Sequence, residues 1–181
     1  MRIGIFGGSF DPPHNGHVKI VEKSLELLEL DHLYVVPTFL SPFKDTFTAP
    51  PLMRLMWLQK IFAKTKKTEV LSFECDQKRQ VPTIETVLHV KKMHSNASLF
   101  LIMGCDAYES LPLWRSFHEL SNLVEFVVAT RSARCYPLDL KILPIHVNIS
   151  SSMLRETFDE QYVPHSICSE VKDYYVKESN G

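Results

Sequence analysis

The stretch GGSFDPPHNGH at residues 7–17 packs three glycines, two prolines and two histidines into eleven positions. Glycine removes the Cβ that would hold a ligand away from the main chain. A glycine turn leading from a strand into a helix also offers unpaired N–H donors and the positive end of a helix dipole. Both features favour an anion, phosphate above all. The spacing is neither G-x-G-x-x-G nor the Walker pattern, which would follow its last glycine with Lys-Ser/Thr. Positive charge must therefore come from elsewhere. His14 and His17 stand three apart at a helix start and can share one face. Two imidazoles there can donate to phosphate oxygens and stabilise charge that moves onto a leaving group. The plainer alternative is a tight turn with one surface and one capping histidine. A pair that brackets a glycine and follows Gly-Gly favours the chemical reading.

The elements that must position this loop are legible around it. RIGIF (2–6) is a buried strand ending in Gly7-Gly8, and from Gly16 the apolar residues Val18, Val21, Leu25 and Leu28 give helical spacing. Further strands are expected at 32–37, 69–73, 97–104, 123–130 and 142–149, the last interrupted at Pro144. Helices are expected at 52–64, 83–93, where Thr83 can serve as cap, and 166–178. Strands alternating with helices imply an α/β fold, a Rossmann-like doubly wound parallel sheet with right-handed crossovers. Such sheets bind ligands beyond the carboxyl ends of their strands. The unusual stretches 7–17, 104–114 and 149–155 all follow expected strand ends, which argues for one shared site. No linker or repeat divides residues 1–181, so one domain is expected, with a helical portion from about residue 150.

Composition narrows the partners. A formal charge of −1 over 181 residues argues against general nucleic-acid binding, which needs a broad basic field. KTKK at 64–67 reads as a solvated helix end. No apolar run approaches the roughly 18 residues of a membrane span, and no signal peptide opens the chain, so a cytoplasmic protein without membrane contact is expected. Cys75, Cys105, Cys135 and Cys168 show no metal or redox spacing and read as packed thiols.

GGSFDPPHNGH resembles the HxGH signature of the nucleotidyltransferase superfamily, and in its longer form that of the bacterial nicotinate-nucleotide adenylyltransferases. ISSSMLR (149–155) is similar to their second signature, Ile-Ser-Ser-Thr-x-x-Arg. There Ser150, Ser151 and Ser152 can cap a helix and bind phosphate through hydroxyls and amides beside Ile149, with Arg155 one turn inside. PTFLSPFKD (37–45) matches a proline loop whose lysine, here Lys44, reaches the triphosphate, and Arg54 fits a family arginine near the site. GCDAYESLPLW (104–114) resembles Gly-x-Asp-x-x-x-x-Leu-x-x-Trp. By that likeness Gly104 lets the nucleotide approach, Asp106 accepts from ribose or adenine, and Trp114 offers a flat face to a pyridine ring; a core tryptophan is the rival reading. VPTIETV (81–87) keeps Thr83 and Thr86 for the mononucleotide, while Val81 and Pro82 replace the family's Ser-Tyr pair.

The resemblance implies in-line transfer of AMP from ATP to nicotinate mononucleotide with loss of pyrophosphate. Gly7, Gly8, Ser9, Phe10 and Gly16 would hold ATP. His14, His17, Lys44 and Arg155 would stabilise the transferring and leaving groups, with Mg²⁺ carried by the phosphates and Asp11 supporting the loop. A phosphopantetheine adenylyltransferase is the alternative enzyme, and a non-catalytic nucleotide-binding module the alternative of another class. A monomer or small homo-oligomer is expected. Arg131 and Arg134, in the 130–139 segment, are read as facing water.

Overall fold

The computed structural model describes residues 1–41, 45–130 and 140–178. A six-stranded parallel sheet runs through it in the order β3-β2-β1-β4-β5-β6. The strands are β1 (Arg2–Gly8), β2 (His32–Pro37), β3 (Thr68–Val70), β4 (Ser98–Gly104), β5 (Val124–Thr130) and β6 (Lys141–Pro144). The described helices are α1 (Asn15–Leu27), α2 (Pro51–Phe62), α3 (Phe73–Asp76), α4 (Thr83–Met93), α5 (Cys105–Ser110), α6 (Phe117–Leu123), α7 (Ser151–Glu156) and α8 (Cys168–Glu178). This is the doubly wound, Rossmann-like arrangement expected from the alternation of elements.

Successive side chains on a strand point to opposite faces, and here both faces are covered. Ile3, Ile5, Leu99 and Leu101 pack with Ile84 and Val87 of α4 and Leu120 of α6. Phe6, Phe100 and Ile102 pack on the other face with Ile20 and Val21 of α1 and Leu58 of α2. That two-sided burial explains the continuous apolar run LFLIM; each fully buried aliphatic side chain contributes roughly 1.5–3 kcal/mol. A third cluster joins Trp57 of α2 to Leu154 of α7 and to Val171 and Tyr175 of α8. The C-terminal helices are thus anchored on α2.

Strand order reverses between β1 and β4, which places the crevice of an open α/β sheet beyond Gly8 and Gly104. Some boundaries differ from expectation. β3 stops at Val70, and Phe73 already opens α3. β6 ends at Pro144, tolerated there because β6 is an edge strand and Ile145 N makes the bond to Thr130 O at 2.8 Å. α2 begins one residue early because Pro51 suits the first helical position. α5 and α6 were not anticipated, having too few turns to show a period. α4 opens at Thr83 as expected, but Pro82 is the N-cap residue, so Thr83 is not the cap. Cys75 and Cys168 are free thiols, whereas Cys105 is disulfide-bonded. That corrects the expectation of four packed thiols; sequence spacing carries no record of which distant cysteines the fold brings together. Among the described residues no helix is long and apolar enough to cross a membrane.

Candidate active site

The first loop leaves β1 at Gly8 and enters α1 with His14 as its N-cap residue. Its two imidazoles do share a face. The His14 and His17 rings stack with centroids 3.6 Å apart and planes 18° from parallel. The His14 main-chain N–H donates to His17 Nδ1 at 3.2 Å. With Nδ1 accepting, a neutral His17 carries its proton on Nε2, which makes that nitrogen a donor. Phe10 sets the other side of His17, edge-on at 4.8 Å. Phe10 is 2% exposed and holds a left-handed φ of 50°, a conformation that costs a bulky residue on the order of 1–3 kcal/mol. Gly16 is needed for close approach. A Cβ there would lie 2.9 Å from His14 Nδ1 and 3.2 Å from Ile149 Cγ2. The glycine between the histidines lets a ring from one signature and an isoleucine from the other meet over bare backbone.

The second signature is fastened to the first. Ser150 is the N-cap of α7, its Oγ accepting from Met153 N at 3.2 Å. Ser151 Oγ donates to Pro12 O at 2.9 Å, and Arg155 donates to Asp11 O and, at 3.2 Å, to Ser152 Oγ. A cleft of about 290 Å³ opens between Arg155, Asp11 and Asp45, Thr46 and Thr48 of the proline loop. Residues 7–17 and 149–155 therefore form one wall. Lys44 and the 130–139 segment with Arg131 and Arg134 lie outside the described residues.

Asp11 and Arg54 hold this wall from behind. The Asp11 carboxylate accepts from Thr48 N and Ala49 N, both at 2.9 Å, and from the Tyr175 hydroxyl. Burial pushes the Tyr175 phenol well up, so it remains a donor. Tyr174 adds a bond from the same helix to Thr48 O at 2.8 Å. Arg54 is 1% exposed and gives its hydrogen bonds to carbonyls: Ala49, Thr38 and Phe39 at 2.9 Å and Ser9 at 2.5 Å. It supports the site by tying the exit of β1 to the exit of β2. Its role in fixing loops, and that of Tyr175, had no local signal in the sequence.

This geometry finds its counterpart among known proteins: the profile of the cytidylyltransferase-like family matches residues 5–157. The chain belongs to that family. Similar to this cytidylyltransferase-like chain is a protein of Campylobacter jejuni described as a probable nicotinate-nucleotide adenylyltransferase, 42% identical and covering 98% of each chain. A protein of Campylobacter fetus with the same description is 43% identical over 99% of each. The structure of Plasmodium falciparum nicotinic acid mononucleotide adenylyltransferase complexed with NaAD superposes with a TM-score of 0.79 at 19% identity. It covers 98% of this chain and 96% of its own. A second structure of that enzyme, complexed with APC, gives 0.75 over the same shares.

The remaining expected site residues of this cytidylyltransferase-like chain lie farther along the same sheet edge. Gly104 ends β4 and is the N-cap residue of α5, with Asp106 as that helix's second residue. Trp114 is half-buried against the core, its Nε1 donating to Ser110 Oγ at 3.1 Å. Thr83 is half-buried at the start of α4. Thr86 is 1% exposed, and its hydroxyl donates to Glu74 Oε1 at 2.6 Å. The hydroxyl of Thr86 is thus aimed at the interior. Burial pushes Glu74 up to about 7. Glu74 was not singled out in the sequence, where a glutamate in FECD looks like any exposed acid.

Proposed function

We propose that the chain transfers the adenylyl group of ATP to nicotinate mononucleotide, forming nicotinate adenine dinucleotide and pyrophosphate. The relatives that match along nearly their whole length carry that activity in their names. The single structural observation that carries the reading is the stacked His14–His17 pair, with the serine turn bonded to the same loop.

In this reading the amides of Gly8, Ser9 and Phe10 hold ATP phosphates where β1 gives way to α1. Nε2 of His17 donates to an oxygen of the α-phosphoryl group, and His14, stacked on it, supports the charge that grows as pyrophosphate departs. Arg155 and the hydroxyls of Ser150 and Ser152 take the outer phosphates, joined by Lys44. The mononucleotide phosphate attacks in line; the protein supplies position and charge stabilisation rather than a covalent partner. Asp106 and Gly104 fall to the adenosine, Trp114 and Thr83 to the pyridine nucleotide. Mg²⁺ enters as part of the ATP substrate. The Asp11 carboxylate already accepts three hydrogen bonds, and no group of three or more metal-ligating side chains occurs among the described residues. Phosphate oxygens and water would then be its ligands, as suits an ion that dehydrates reluctantly.

The test is pyrophosphate release from ATP with nicotinate mononucleotide, its amide and phosphopantetheine as parallel acceptors. The acid mononucleotide is expected to react fastest. Turnover only with phosphopantetheine would transfer the assignment to the alternative enzyme, and tight ATP binding without turnover on any acceptor would favour a binding module.

A further inference from the structure

Glu74 is a carboxyl group that neither the phosphate loop nor the serine turn uses. It is 5% exposed, and its partner Thr86 is 1% exposed. Keeping a carboxyl out of water costs free energy that an apolar side chain would avoid. Its location accounts for its presence. α3 follows β3 at the carboxyl edge of the sheet, where Leu71 N still bonds Val35 O at 2.9 Å. The adjacent Cys75 thiol lies 3.4 Å from Pro37 O and 3.9 Å from Pro51 O, and burial pushes it up to about 11, so it stays a protonated donor. A single turn of helix therefore connects the exit of β2, the start of α2 and, through Glu74, the first turn of α4. That turn has no side-chain cap, since Pro82 occupies the N-cap position.

We propose that Glu74 is a positioning residue for the acceptor substrate: by holding Thr86 it sets the angle at which the first turn of α4 presents Thr83 and its amides to the pyridine carboxylate. This rests on the adenylyl-transfer reading above. The protonation of Glu74 then bears on which acceptor is preferred. A neutral carboxyl leaves the helix start favourable to an anion, whereas an ionised one places a like charge behind it. Among the described residues, the charged and titratable groups bearing on Glu74 are few. Glu85 on α4 is paired to Arg79 at 2.5 Å, Cys75 and Asp76 share its own turn, and Arg54 of α2 acts on Cys75.

The experiment is steady-state kinetics on the full chain, varying each substrate at about pH 6 and about pH 8.5. Thr86→Val removes the donor and is expected to raise KM for nicotinate mononucleotide about tenfold, the equivalent of one well-formed hydrogen bond, with KM for ATP within about twofold. Thr86→Ser restores it. Glu74→Gln keeps an acceptor but cannot ionise. In the wild type the ratio of KM for the acid mononucleotide to KM for its amide rises with pH, and in Glu74→Gln it stays flat. Both acceptors carry the same phosphate, so the ratio cancels its titration. Equal rises in both substrates' KM for Thr86→Val, or the same pH trend in Glu74→Gln and wild type, overturn the proposal. Should Thr86→Val fail to fold, the Glu74→Gln profile decides alone. Absence of wild-type turnover on nicotinate mononucleotide would instead remove the functional reading itself.

Discussion

The two ends of the site are built differently. On the phosphate side, the loop 7–17 is bonded to the serine turn, the proline loop, α2 and α8, by contacts spanning up to 164 residues of sequence. On the pyridine side, the expected contacts rest on one buried pair, Glu74–Thr86, and on a half-exposed Trp114 held by a neighbour four residues away. Charge stabilisation in a transition state works only through groups already in place, because reorganising them would return the energy gained. A flat ring and a carboxylate make lighter demands. Under the proposed adenylyl transfer, the more heavily bonded end is the one where the bond breaks.

The contrast is broken most directly at His17. His17→Ala is expected to keep the fold and lose on the order of a hundredfold or more in pyrophosphate release, the scale for one oxyanion-type donor. Wild-type turnover in that variant would dismiss the imidazole from its role. Next comes Gly16→Ala, whose new Cβ must push the His14 ring or Ile149 aside. Activity is expected to fall about tenfold or more while the melting temperature moves only a few degrees, since a sub-ångström misplacement costs chemistry more than packing. Equal losses in both would mark Gly16 as a folding residue.

A comparable effect, on stability rather than turnover, belongs to Glu74. Burial raises its folded-state pKa from 4.5 to about 7. The folded state therefore binds the proton more tightly than the unfolded chain, and its contribution is greatest at low pH. It is lost as pH climbs from about 4.5 through about 7 and levels off about one unit higher, a fall of about 3 kcal/mol in all. Urea titrations of wild type and Glu74→Gln should show this slope in the former alone. Tyr175→Phe keeps the ring against Trp57 but removes the donor to Asp11. A loss of about 1–2 kcal/mol is expected, with KM for ATP raised more than KM for the mononucleotide. The reverse order would show that α8 does not serve the phosphate end. Trp114→Phe, which retains a flat ring, should change KM for the mononucleotide by only about twofold.

The strand and helix pattern was readable because its boundaries are chemical: Gly8 and Gly104 end strands, and Pro51 opens a helix. The meeting of the two signatures was readable for a similar reason, since paired histidines at helical spacing and a triple serine before an arginine are local signals. The support behind them was not. Arg54 fits a family arginine near the site in sequence, but nothing there tells that its donors end on four backbone carbonyls. Thr86 looks like a ligand residue, and nothing local reveals that its hydroxyl donates to a buried glutamate. Nothing local distinguishes Tyr175 from a helix-face aromatic; its partner Asp11 becomes a neighbour only after the chain has folded back on itself.

That last pairing has a consequence for how the molecule comes to life on the ribosome. The aspartate that steadies the histidine loop is translated 164 residues before the phenol that completes its hydrogen bonding. A nascent chain can lay down most of its parallel sheet and still lack a finished catalytic centre. Under the proposed function, competence waits for α8 to fold back onto the loop.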